Sequence, residues 1–286
     1  MNNLTSNTYS TDLSIDPQLA ALIATGKPQT KTAAKQGLYF RTASALTGDP
    51  ILVAFQMGAS KNSKLGDMVQ VWIMPESSKP TDSIKDGLQE AVCGKCWFAS
   101  SGTCYVNPVT VNQVWSAVER GSYRELELND NGFKALASAL YGRHVRVGAW
   151  GDPAAMPWPL MASIVDNCAG HTAYTHQADH PSFDPRFADV CMVSVENPKQ
   201  AERLQRLGYR TFRARTEFAQ LTPREIECPS VSSGLSCADC RLCDGKDAKR
   251  GTVSVSIPVH GLDWKVQTFN NRWAAAPQID VLEVAA

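Results

Sequence analysis

Seven of the nine cysteines fall into two tight groups, and these are the residues whose types and spacing most plainly carry chemistry. The first is Cys93-Gly94-Lys95-Cys96 closing on Cys104, a C-x2-C-x7-C pattern. The second is Cys228, Cys237, Cys240 and Cys243, a C-x8-C-x2-C-x2-C pattern among turn-forming glycines and aspartates. Zinc prefers two C-x2-C knuckles separated by a longer loop, so that two chelating pairs meet tetrahedrally. Three cysteines in succession at x2 intervals crowd a single ion, whereas a cubane cluster offers each thiolate a different iron. The spacing therefore favours a [4Fe-4S] cluster at the second group, with zinc as the alternative. At the first group three thiolates leave one iron open to an exogenous ligand, or Cys168, Cys191 or a histidine completes the set; a zinc knuckle closed by Cys104 and a fourth ligand is the other reading. Lys95, between two cysteines, favours the thiolate form.

The segments around these loops must position them. Strands are expected at Pro50–Gln56 and Met68–Met74, where Val69, Val71 and Ile73 alternate with Gln70 and Trp72. Helices are expected after Asn107-Pro108, after the N-cap Asp130, after Pro157 and after Asn197-Pro198, the last stopped by Gly208. Further strands are expected at His144–Ala149, His171–His176, Val190–Val195, Tyr209–Ala214 and around Val253–Ile257. Strands alternating with helices imply βαβ units and a parallel sheet. In such sheets ligands sit at the carboxyl ends of the strands. There the sequence places Trp150-Gly151-Asp152-Pro153, His176-Gln177, Glu196-Asn197 and Arg213. Asp152, His176, Glu196 and Arg213 are the candidate catalytic set. Asp152 and Glu196 would hold an amino or ribose group, Arg213 a carboxylate or phosphate, and His176 would move a proton near neutral pH. Trp150, Gly151 and Asn197 are the candidate cofactor contacts.

Composition narrows the class. The chain has 286 residues, is 43% apolar and 20% charged, and carries 28 basic against 28 acidic residues. That excludes wholesale disorder and gives no basic excess of the kind that packages nucleic acid or clamps an anionic membrane. No cysteine precedes Cys93 and their number is odd, unlike a secreted disulfide framework. The polar start, Met1–Pro17, predicts a cytoplasmic protein with no membrane association. Residues 1–33 read as a flexible arm with a short helix at Asp16–Ala24, residues 34–262 as an α/β iron–sulfur domain, and residues 263–286 as a C-terminal extension. No Gly-x-Ser-x-Gly elbow, His-Glu-x-x-His helix or Walker loop is present. Arg203, Arg206, Arg210, Arg213, Arg215 and Arg224 form a locally basic run, with Trp97, Phe98 and Tyr105 as candidate stacking partners for bases. A zinc-stapled module for a host protein or nucleic acid is thus the alternative function.

A cysteine loop after an early strand, closing on Cys104-Tyr105 in a chain of βα units, resembles the radical S-adenosylmethionine superfamily. That likeness implies a partial (β/α) barrel-like parallel sheet with cysteine-rich metal-binding loops. It also implies a four-iron cluster on Cys93, Cys96 and Cys104 with S-adenosylmethionine on its open iron. Cys228, Cys237, Cys240 and Cys243 would hold an auxiliary cluster, and the substrate would be a small molecule or nucleotide. The superfamily's usual spacing is C-x3-C-x2-C, which this chain does not share. Residues 40–260 also look like a group of uncharacterised cysteine-rich bacteriophage and prophage proteins. That likeness rests on Trp150-Gly151-Asp152-Pro153, Cys191–Val195, Gly208–Arg213 and Cys228-Pro229 with its following cysteines. It implies the cytoplasm of an infected bacterium.

Overall fold

In a computed structural model, residues 37–58, 64–246 and 253–275 are described. The N-terminal arm and its expected helix at Asp16–Ala24 lie outside them. Eleven strands form two sheets among the described residues. The first has the order β4 (Arg124–Glu125), β1 (Leu38–Ala43), β2 (Pro50–Gln56), β3 (Met68–Pro75), β5 (His144–Trp150), β6 (Gly170–Thr172). The second has the order β10 (Glu225–Glu227), β11 (Ser254–Pro258), β9 (Thr211–Arg215), β8 (Met192–Val195), β7 (Tyr174–Thr175).

From β3 onward every pairing is parallel: β3 with β5, β5 with β6, and all of the second sheet. The exception to the expected parallel sheet is the start, where β1, β2 and β3 run antiparallel. The short link from β1 to β2 permits only an antiparallel return, since a parallel one needs a crossover of a dozen residues or more. The architecture is therefore mixed α/β with two open sheets, and no closed barrel forms among the described residues.

The two sheets meet where His171–His176 was expected to be one strand. Ala173 breaks it. Its N–H donates to the carbonyl of Cys243 at 3.0 Å, while its carbonyl accepts from Met192 at 2.9 Å. The loop carrying the second cysteine group thus takes the hydrogen bond that would have continued the first sheet, and the chain resumes in the second.

Elsewhere local chemistry sets the elements. The helix Pro108–Glu119 starts on proline, its N-cap Asn107 accepts from Val109, and it buries Val111, Val114 and Val118. The helix Asp130–Leu140 is capped by Asn129, one residue before the expected cap, so Asp130 is a first-turn acid. The helices Trp158–Asn167 and Pro198–Arg206 bury Leu160, Met161 and Ile164, and Ala201 and Leu204. Strand β3 is buried on both faces rather than one. It is flanked by β2 and β5, and Gln56 accepts from both Gln70 and Trp72, which makes their burial tolerable. No described helix is long and apolar enough to cross a membrane.

Candidate metal centres at two cysteine groups

The first group sits at the carboxyl end of β3 and β5. Cys93 ends the helix Glu90–Cys93 and Cys96 precedes the helix Trp97–Ser100. The N–H of Cys104 folds back onto the Phe98 carbonyl at 3.0 Å. Gly94 lies between the first two cysteines with φ +46°, and a Cβ there would stand 2.2 Å from Gln177 Oε1. The turn needs glycine for both reasons. Gln177 is fully buried, and its amide donates to the Cys93 carbonyl at 2.9 Å while its oxygen accepts from Lys95 N–H at 3.0 Å. One side chain from the end of β7 thus holds both flanks of the turn.

Asp152 holds Gln177 in turn. Its carboxylate accepts from Ala154 N–H at 3.0 Å, His176 N–H at 2.7 Å and the Gln177 amide at 3.1 Å, and its own N–H donates to Val92 at 2.6 Å. A bulge aims it. The register of β5 on β3 jumps from Val71–Val147 to Trp72–Trp150, with Gly148 at φ +75°. Gly151, at φ +79°, leaves no room for a side chain against the Ile73 carbonyl.

Three of the four expected catalytic residues do gather here. His176 lies beside Cys96, with Glu196 and Asp152 close enough to act on its charge. Burial opposes protonation of the imidazole, but Cys96, Glu196 and Asp152 outweigh it and push its pKa up to about 10. Burial raises Glu196, and facing His176 lowers it in part. The His176 ring is hydrogen-bonded to the Cys96 thiol, and Glu196 Oε2 is buried with no hydrogen-bond partner. Phe98 packs its ring edge-on to His176 at 5.6 Å. The thiol of Cys93 is driven well above its ordinary range by burial, then by Cys96, Cys104 and Asp152. Cys104 is raised by burial and by Cys96, and drawn back by Lys265.

Arg213 corrects the expectation. It is fully buried and points along the second sheet to Glu225, with Nε–Oε1 at 2.8 Å and a second contact to Oε2 at 2.5 Å. It belongs to a structural ion pair rather than a substrate rim. The cofactor candidates are also used internally. Trp150 is part of the core, Gly151 serves the β3 approach, and Asn197 caps its helix by accepting from Gln200 at 2.9 Å. Cys191 is a buried core residue, and Cys168 sits on the Val165 carbonyl at a helix end. Within the C-terminal extension, residues 263–275 form a helix docked on the first group. Phe269 stacks on Phe98 at 6.0 Å, and Lys265 donates to the carbonyls of Cys104 and Val106.

The second group is nested differently. Cys228, Cys237, Cys240 and Cys243 all line one open pocket, of about 300 Å³ counting the space open to solvent, with Thr172 and Tyr174 on its wall. Cys228 follows β10, its N–H on Ser256 at 2.9 Å, and Cys237 donates to Lys64 at 2.8 Å just before β3. Ser236 caps the turn Cys237–Cys240, and Arg241 then takes a left-handed conformation, φ +53°, that swings the chain toward Cys243. Arg210 fixes the far side, donating to Leu242 at 2.5 Å, Gly245 at 2.6 Å, Val253 at 2.8 Å and the Asp244 carboxylate at 2.9 Å. Burial pushes the Cys243 thiol up to about 12; Tyr174 draws it down by a hydrogen bond, and the other three cysteines raise it further. Arg146 and Lys64 act in the opposite sense on Cys237, which burial raises.

The two groups do not share one mouth of the scaffold. The first lies where β3, β5 and β7 end, whereas the turn Cys237–Cys240 packs where β3 and β5 begin, against Lys64 and His144. Tyr105, next to Cys104, lies on the side of the first group that meets Arg146. Its hydroxyl accepts from Arg146 at 2.8 Å, and Arg146 in turn faces Cys237 and Tyr174. The expected basic face is also thinned. Arg210, Arg213 and Arg215 are buried among carbonyls and carboxylates, and Trp97 and Phe98 pack on Phe269. Among the described residues no three His, Cys, Asp or Glu side chains close on a single point as one bound ion requires. Sequence reasoning missed Gln177, Arg146 and Arg210 as organisers of these centres; Gln177 alone had a signal, its place at the same strand end as His176. No family model, curated protein or solved structure matches the chain.

Proposed function

We propose that this chain is an iron–sulfur protein with two [4Fe-4S] centres on an open α/β scaffold, acting as a redox or radical enzyme on a small molecule or nucleotide. Cys93, Cys96 and Cys104 hold the first centre, and Cys228, Cys237, Cys240 and Cys243 the second. The observation that carries the reading is that all four C-terminal cysteines line one pocket. Their spacing of x8, x2 and x2 adds to it. A cubane spreads its ligands over separate irons, so three cysteines in succession at x2 intervals suit it better than they suit zinc.

The surroundings support the same reading. Burial, and then the charge of neighbouring thiolates, raises Cys93 and Cys243, and an inorganic cation reverses that by holding thiolates. Tyr174 and Arg146 supply a hydrogen-bond donor and a positive charge to the sulfurs, the outer contacts by which a protein sets a cluster's potential. The centres supply electrons; Asp152 and Gln177 hold the first loop, and Glu196 and His176 present polar atoms beside it.

The test is the metal and acid-labile sulfide content of anaerobically purified protein. We expect a brown protein with about eight iron and eight sulfide per chain. A colourless protein carrying zinc and no sulfide would overturn the reading in favour of a stapled binding module. Reductive cleavage of S-adenosylmethionine separates the radical form of the proposal from the purely redox form.

A further inference from the structure

The carboxylates beside the first cysteine loop are used unequally. Asp152 is saturated: it accepts from the N–H groups of Ala154 and His176 and from the Gln177 amide. Glu196 is not. It directly follows β8, and its Oε2 is buried with no hydrogen-bond partner. The helix that begins two residues later does not use that carboxylate, since Asn197 caps it and Gln200 Oε1 accepts from the Glu196 N–H at 3.0 Å. Among the described residues no lysine or arginine acts on it. His176 is the positive group that does, and that ring is hydrogen-bonded to the Cys96 thiol. Asp179, which is exposed, adds a second negative charge from the loop after β7. A buried carboxylate oxygen left without a donor is costly and needs a reason.

We infer that Glu196 anchors a protonated amino group of the substrate, with Asp179 adding to the attraction at the rim. An ammonium brings both the hydrogen-bond donor that Oε2 lacks and the positive charge that this corner lacks. The residue as a whole is half-buried, so a small cation has a way to the carboxylate. The N-terminal end of the helix Pro198–Arg206 favours a negative charge at this position, which offsets part of the cost of burying one. The inference rests on the reading above for the chemistry next to the site, and it selects within it. A nucleotide needs a cation for its phosphates, and Arg213, expected to supply one, is locked to Glu225. Two acids in its place repel a phosphate. The substrate class is therefore a small amine rather than a nucleotide.

The test uses the full-length chain, prepared anaerobically, with n-butylammonium as the probe and n-butanol as its uncharged counterpart. Binding is read from the relaxation of the probe's own methylene protons by nuclear magnetic resonance, at constant ionic strength. We expect saturable binding of the ammonium and none of the alcohol. Glu196→Gln keeps the shape and deletes the charge, so it should abolish saturation while the circular dichroism of the fold is unchanged. Asp179→Asn should weaken binding about two- to five-fold, the scale of one exposed charge. Saturation that survives Glu196→Gln, or equal binding of ammonium and alcohol, would overturn the inference. An absence of saturation in protein with full iron and sulfide would overturn it too and leave the iron–sulfur reading standing. Saturation in a protein without iron or sulfide would keep the amine site and overturn that reading instead, and the absence of both signals would overturn both.

Discussion

Among the described residues, Arg213 is one of two arginines with fully buried side chains, and it shows how one residue's role turns on a partner distant in sequence. Its guanidinium meets Glu225 twice and the Gln220 carbonyl once, while Glu225 also accepts from Thr222 N–H at 2.9 Å. Both side chains of the pair have no exposure. Removing one member strands the other's charge in a low dielectric, which costs about 3–5 kcal/mol, whereas replacing both with apolar groups is often neutral. Arg213→Met should therefore lower unfolding free energy by about that amount in urea titration, and Arg213→Met with Glu225→Leu should recover most of it. A loss in the double variant as large as in the single one would mean that shape, not charge, holds this site. From sequence, an arginine inside a strand looked like a substrate contact. Nothing local marks Glu225, twelve residues on and one strand beyond β11, as its destination.

At the scale of elements, the first cysteine loop is held less by its own two short helices than by the end of β7. Gln177 bonds the Cys93 carbonyl and the Lys95 N–H, and Asp152 keeps its amide in place. Gln177→Ala removes both loop contacts and leaves buried groups unpaired, at about 1–3 kcal/mol for each. The prediction is selective: iron at the first centre falls by at least half, while the second centre and the circular dichroism of the fold are unchanged. An equal loss at both centres would place Gln177 in general stability instead. The elements themselves were largely legible, because a helix or strand announces itself through short-range periodicity. Pro50–Gln56, His144–Ala149 and the helices after Asn107 and Asn197 stand where spacing put them. What could not be read is what depends on another segment. Ala173 breaks a strand because the Cys243 carbonyl claims its N–H, and Gly151 is required by the Ile73 carbonyl rather than by a cofactor. The cysteine groups were legible as sets, but their placement at opposite strand ends was not, since the sequence says nothing about which end of β3 a loop from residue 237 returns to.

Across the whole molecule, that placement sets the two groups toward opposite ends of β5, the strand His144–Trp150. Arg146, the third residue of β5, stands between them. It donates to Tyr105, the neighbour of Cys104, and faces Cys237 of the other group. Burial works against its charge, yet Tyr105, Tyr174 and Cys237 hold it in the charged form. A fixed cation beside an anionic cluster favours the reduced state, which is the more negative one, and so raises the potential. Arg146→Met keeps most of the aliphatic stem and deletes the charge. At an effective dielectric near 20 and a separation of several ångströms, that change is on the order of 100 mV downward for the second centre. Tyr105→Phe keeps the charge and removes only the hydrogen bond at 2.8 Å, so it should move the same potential far less. Redox titration of the two variants, with each centre followed by its own resonance signal, reads the difference. If both variants shift the potentials equally, the hydrogen bond and not the charge carries the link. If Arg146→Met moves neither centre, the guanidinium serves only to fill the space between the sheet and Tyr105, and the two groups work independently of one another.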